Sequence, residues 1–351
     1  MLLFLLLTAS FCCWVLAALI KRLGNVRLAL SEACFLSRTH TDAIKGIAAV
    51  VIIFSHIAAR IQSSVSGPLR YYVMLFGTIG GIGVDLFLFA SGFGNCYSIS
   101  RTENRGSVRL KWLLRRTLHI VLVYLSCFVL TSIVLYLGGY DGTAKRMVQD
   151  LLRLRMPLRV TWYLKVQILL YAVLTISCFF EQKIIRGIIL VGGSFASALI
   201  FRRLGYPEEW WKSTMCFAAG YYCAVHKNAL VQAINSRKNL VVVGSVGIFL
   251  AAYGLVCIFD NLFVPEVLGN LLMMVGVTLM AEFVRFDSRA AARLGTASLE
   301  IYLIHISLCS WFLRVGAQGN MGILKVVLCT AFASVIAKKI DERITKPLNK
   351  I

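Results

Sequence analysis

The feature that most constrains this chain is a recurring block of about 20 apolar residues, bounded each time by a short connection, most of them carrying Lys or Arg. One helix of that length crosses a hydrocarbon core of about 30 Å. A soluble fold built from so many such blocks would lack the polar faces that its surface helices need. Of 351 residues, 59% are hydrophobic and 15% charged, where a soluble domain carries about 25% charged residues. Five prolines in the whole chain leave the blocks nearly unbroken. The expected fold is an all-α, polytopic transmembrane helical bundle of about 11 helices.

The candidate spans fall at residues 1–20, 42–61, 72–97, 117–138, 162–180, 187–201, 213–226, 239–258, 267–285, 298–315 and 321–338. The first ends at Lys21 and Arg22, has no basic stretch before it and shows no small-residue cleavage pattern. It therefore reads as an anchor helix rather than a cleaved signal peptide. The chain divides into residues 1–39, this helix with its basic connection, and residues 40–351, one membrane domain without internal repeat or low-complexity linker. Threading the spans back and forth places roughly two-thirds of the 37 Lys and Arg on one side, which by the positive-inside rule is cytoplasmic. The N-terminus is then expected outside and the C-terminus in the cytoplasm of a multi-pass cell-membrane protein.

The net charge of +21 has the same origin, because the basic residues sit mostly in connections between apolar blocks. No nucleic-acid partner is expected. Eleven cysteines form no C-x-x-C pair, and most lie in apolar segments, as small buried hydrophobes do. No metal is expected either. Two outer connections stand out. The stretch 144–159, AKRMVQDLLRLRMPLR, alternates apolar and basic residues as a short interfacial helix does. The stretch 202–213 carries Trp210 and Trp211, which read as headgroup anchors. The alternative for both is the lining of an entrance for an acceptor molecule.

Ionisable groups inside a span are costly and mark functional candidates. The span at 42–61 holds Lys45 and His56, eleven residues apart. At about 100° per residue they share one helix face to within about 20°, separated by about 16 Å along the axis. Such a polar stripe must face the bundle interior or a water-filled channel. The next span places Asp85 near its middle, followed two turns later by Ser91. His56 is the expected donor for Asp85, although the span limits set it several ångströms further out. The basic connection after it carries Arg101, Arg105, Arg109 and Lys111, and at the membrane boundary Arg115, Arg116 and His119 follow at helical spacing. Such a cluster suits the phosphates of a cytosolic cofactor. Lys165, Glu282, Glu300 and His305 are further intramembrane candidates. Glu300 and His305 lie about 140° apart on an ideal helix and need not share a site.

In order along the chain stand DAIKGIAAVVIIFSH (42–56), GVDLFLFASGFG (83–94), WLLRRTLHI (112–120), TWYL (161–164) and SLEIYLIH (298–305). This ordered set resembles acyltransferase family 3, the integral membrane O-acyltransferases that modify cell-surface carbohydrates. The resemblance covers about residues 40 to 340, everything after the first helix. It implies a ten-helix core, here with one added N-terminal helix. It also implies transfer of an acyl group, most commonly acetyl, from cytosolic acyl-CoA to a hydroxyl of a polysaccharide or lipid-linked sugar. His56 matches a histidine essential in the family, and Lys45 matches its basic companion. The family's R-x-x-R pair falls on Arg116 and His119, so its second position is histidine here.

The expected site then has His56 as general base with Asp85 orienting it, since histidine has the ordinary side-chain pKa nearest neutrality. Lys45, Arg115, Arg116 and His119 would hold acetyl-CoA. Ser91, Trp162, Tyr163 and His305 would contact substrate. A transporter or flippase would also place His, Asp and Lys in mid-membrane. The missing internal repeat argues against that rival.

Overall fold

The computed structural model describes residues 1–23, 35–100, 106–259, 261–284, 288–314 and 319–346. Arg101 and Arg105 of the basic connection lie outside these residues. The chain folds as α1 (Leu2–Leu23), α2 (Arg38–Ile61), α3 (Pro68–Thr78), α4 (Gly80–Ser100), α5 (Gly106–Leu137) and α6 (Ala144–Leu152). A hairpin of β1 (Arg155–Met156) and β2 (Arg159–Val160) follows. Then come α7 (Trp162–Ser177), α8 (Lys183–Arg203), α9 (Thr214–Val225), α10 (Lys227–Ser236), α11 (Lys238–Ile258) and α12 (Phe263–Val284). The last are α13 (Arg289–Thr296), α14 (Ser298–Phe312) and α15 (Asn320–Thr345). The all-α bundle expected from the apolar blocks is the fold.

The apolar blocks resolve into two kinds of helix. Among the described residues, seven segments are long and apolar enough to cross a membrane. In contrast α7, α9 and α14 have 16, 12 and 15 residues, too short to span about 30 Å alone. All three are lined with buried side chains. The long helices carry the lipid-facing apolar surface, with Ile184, Ile188, Leu240, Val243, Leu250, Ile258, Leu328 and Phe332 exposed on α8, α11 and α15.

The single span expected at 72–97 is interrupted at Ile79, between α3 and α4. Ser55 on α2 lies against Gly80, where any Cβ would overlap its hydroxyl. The same hydroxyl donates to the Gly77 carbonyl at 2.8 Å. A side chain of one helix thus occupies the break in another and satisfies a backbone group near it.

Small residues set the central packing. Gly92 of α4 sits on the Phe217 carbonyl of α9, while Gly220 of α9 sits on the Phe89 carbonyl of α4. Gly46 of α2 and Gly295 of α13 likewise meet the backbone of the facing helix, at Ala291 and Asp42. Such close approach maximises the van der Waals contact that holds helices together in lipid. Between α2 and α4, Gly80 meets Ser55 and Gly83 meets Ile52, which fixes an antiparallel register.

Buried charges tie the ends of the bundle. His40 Nδ1 of α2 lies 2.9 Å from Glu282 Oε1 of α12, both side chains being buried. Lys338 Nζ of α15 stands 3.5 Å from Glu300 Oε1 of α14 and 3.3 Å from Asp341 Oδ2. His119 of α5 completes this group, with Nδ1 3.5 Å from Asp341 Oδ1.

Candidate active site

The polar face of α2 opens into two separate cavities. The larger, about 790 Å³, surrounds the Lys45 end. It falls within the range of small-molecule and cofactor sites, roughly 300–1,000 Å³. Among the described residues, four cations line it, Arg38, Lys45, Arg116 and Lys227, against the single carboxylate Asp42. Lys45 Nζ lies 2.7 Å from that carboxylate, one turn away on the same helix. Arg116 donates to Ser98 Oγ at 2.7 Å, which aims the guanidinium across the mouth. Deeper in, Ser91 Oγ is the hub of a polar cluster, 3.2 Å from the Tyr171 hydroxyl and accepting from Gln167 Nε2 at 3.0 Å and Asn95 Nδ2 at 3.2 Å.

The smaller cavity, about 370 Å³, lies at the other end of the stripe. His56, Trp162, Tyr302 and His305 line it, with Arg155 and Arg159 from the hairpin and Tyr206, Glu209 and Trp210 from the segment before α9. The His56 and His305 rings stand 5.2 Å apart, centre to centre, tilted by 43°. His305 Nδ1 lies 2.9 Å from the Ile301 carbonyl. A carbonyl only accepts, so Nδ1 carries the proton and Nε2 is left with its lone pair. That Nε2 is buried and, among the described residues, has no partner. His305, with this unpartnered nitrogen, lines the same cavity as His56.

An aromatic layer lies between the two cavities. Phe87 and Tyr163 line the larger and Tyr302 the smaller. Tyr163 and Tyr302 have centroids 5.1 Å apart, and Phe87 lies 6.2 Å from Tyr163 and 6.4 Å from Tyr302. Adjacent residues at the start of α7 thus serve different chambers, Trp162 the smaller and Tyr163 the larger.

Several expected positions come together and others do not. Lys45, Arg116, Ser91 and Tyr163 share the larger cavity, while His56, Trp162 and His305 share the smaller. Asp85 is fully buried but does not pair with His56. Extending the α2–α4 register puts it level with Val50, about 9 Å along the axis from His56. Its polar neighbours are Ser213, Cys216 and Lys212. His119 also departs from expectation, turning away from the larger cavity to Asp341. Arg115 is absent from that cavity's lining as well, because its neighbour Arg116 takes the inward face of α5. Trp210 and Trp211 are buried rather than at a headgroup surface, and Trp210 faces His56's cavity. Arg38 and Lys227 were not singled out in the sequence, since both lie at helix ends where basic residues ordinarily mark topology. No group of three or more potential metal ligands forms among the described residues.

Residues 40–337 match the family model of the acyltransferase domain of family 3. The chain belongs to acyltransferase family 3. No curated protein and no solved structure matches it. The smaller cavity, the aromatic layer and the paired histidines lie within the part matched as acyltransferase, as does the larger cavity apart from Leu36, Ser37 and Arg38. Membership in the family implies an acyl donor and an acceptor in general.

Proposed function

We propose that the protein is a membrane O-acyltransferase that moves an acyl group, acetyl in the first instance, from cytosolic acyl-CoA to a hydroxyl of a cell-surface or lipid-linked carbohydrate. The observation that carries this reading is the division of one helix face between two chambers, cationic at Lys45 and histidine-lined at His56. Lys45, Arg116, Arg38 and Lys227 bind the donor's phosphates, as cations in a partly enclosed cavity do. The thin thioester-bearing arm passes the rings of Phe87, Tyr163 and Tyr302, which keep water from the reacting carbonyl.

His56 then removes the proton of the acceptor hydroxyl as its oxygen attacks the thioester carbon. The new C–O bond forms, the C–S bond breaks, and the thiolate leaves with the proton held by His56. His305, with its Nδ1–H fixed on Ile301 and its ring 5.2 Å from that of His56, takes the orienting role in place of Asp85. Asp85 instead acts through the α4–α9 contact, beside Ser213 and Cys216. Family membership favours acyl transfer over the transporter reading, and acyl transfer also accounts for the unlike chambers.

The test incubates purified protein with radiolabelled acetyl-CoA and a panel of polysaccharides. Label is expected in an alkali-labile ester on the carbohydrate. Absence of acyl-CoA binding, with solute flux in liposomes instead, would establish the transporter and sink this reading.

A further inference from the structure

The smaller cavity carries charge that acyl transfer to a neutral sugar does not call for. Arg155 and Arg159 stand across the β1–β2 hairpin, paired with Val160 and Met156 respectively, and both line the wall facing His56's chamber. The hairpin is anchored. Tyr124, fully buried on α5, donates its hydroxyl to the Arg155 carbonyl at 2.9 Å. Arg159 Nε donates to Ser310 Oγ of α14 at 2.7 Å. Arg155 Nε is buried and, among the described residues, has no hydrogen-bond partner. Neither arginine lies within 4.0 Å of a carboxylate among those residues, although Glu209 lines the same chamber. A buried guanidinium donor without an acceptor is costly, and a bidentate anion is the partner that its geometry fits best.

The other walls fit a sugar ring. Trp162, Trp210, Tyr206 and Tyr302 surround the chamber, with Tyr206 and Trp210 only 4.5 Å apart. Flat aromatic faces bury the apolar C–H surface of a pyranose while its hydroxyls reach His56. We infer that the acceptor is an anionic saccharide, whose carboxylate or phosphate is held by Arg155 and Arg159 and whose nearby hydroxyl is acylated. This rests on the acyl-transfer reading above and names the acceptor class for that site.

The experiment measures transfer of label from acetyl-CoA to four acceptors: a polyuronate, the same polymer with its carboxyl groups reduced, a sugar phosphate and a neutral glucan. The expected result is a KM at least about tenfold lower for one of the two anionic acceptors than for the reduced polymer. Which of them wins separates carboxylate from phosphate. Arg155→Ala should raise that KM about tenfold, with Arg155→Lys restoring part of it, while acetyl-CoA binding stays unchanged and reports an intact fold. Equal transfer to reduced and anionic polymers, or an Arg155→Ala effect of equal size on both, overturns the anionic acceptor and leaves acyl transfer standing. Transfer to no hydroxyl at all overturns both.

Discussion

Lys45 and His56 lie about 16 Å apart along one helix face, and the walls of the chambers around them differ in charge. Around Lys45 the lining is four cations with hydroxyls and amides from α2, α4, α5, α7 and α10, set among the rings of Phe87, Phe93, Tyr97, Tyr163 and Tyr171. Around His56 it is indole and phenol rings, two imidazoles and a pair of arginines on a short hairpin. Under the proposed function, the difference separates binding from chemistry: the cationic chamber would take the large, charged, inert part of the donor, and the proton would move in the chamber of His56.

This division is open to attack by substitution, and the effects should be unequal. Replacing His56 with Ala removes the base, so kcat should fall by about 10²–10⁴, read in the transfer assay, while acetyl-CoA affinity by equilibrium dialysis stays at the wild-type value. A parallel loss of donor affinity would erase the distinction between the chambers. Arg116→Ala acts on the other side, and the KM for acetyl-CoA should rise about tenfold with kcat nearly kept. A drop in kcat with KM unchanged would move Arg116 into the chemistry. The smallest effect should come from Asp85→Asn, isosteric and about 9 Å from His56 along the axis: kcat is expected within about threefold of wild type. A loss comparable with that of His56→Ala would restore Asp85 as the orienting group and displace His305.

These contrasts also show what could be read before the fold was known. The Lys45–His56 stripe needed only a helical period and the cost of charge in lipid, and both residues do face internal cavities. The acyltransferase resemblance rested on ordered local motifs, and the match over residues 40–337 has the same extent. What local text did not carry was register between helices. Asp85 looked close to His56 in span diagrams, but Gly80 against Ser55 and Gly83 against Ile52 set α4 lower on α2. His119 had the right spacing for a donor contact, yet its partner, Asp341, is 222 residues away on α15. Trp210 and the hairpin arginines carried the composition of an interfacial segment. Only the folding of the short α7, α9 and α14 into the middle of the bundle turned that segment inward.

The central claim is that donor and acceptor enter from opposite ends of the bundle and meet at the aromatic layer. Sided proteoliposomes test it most directly, with orientation fixed by protease access to a C-terminal tag. Labelled acetyl-CoA is supplied only on the face bearing Lys45, and the carbohydrate only on the face bearing the β1–β2 hairpin. The account predicts acylated carbohydrate on the hairpin face and free CoA on the other. Ester formed only when both substrates share one face would contradict it.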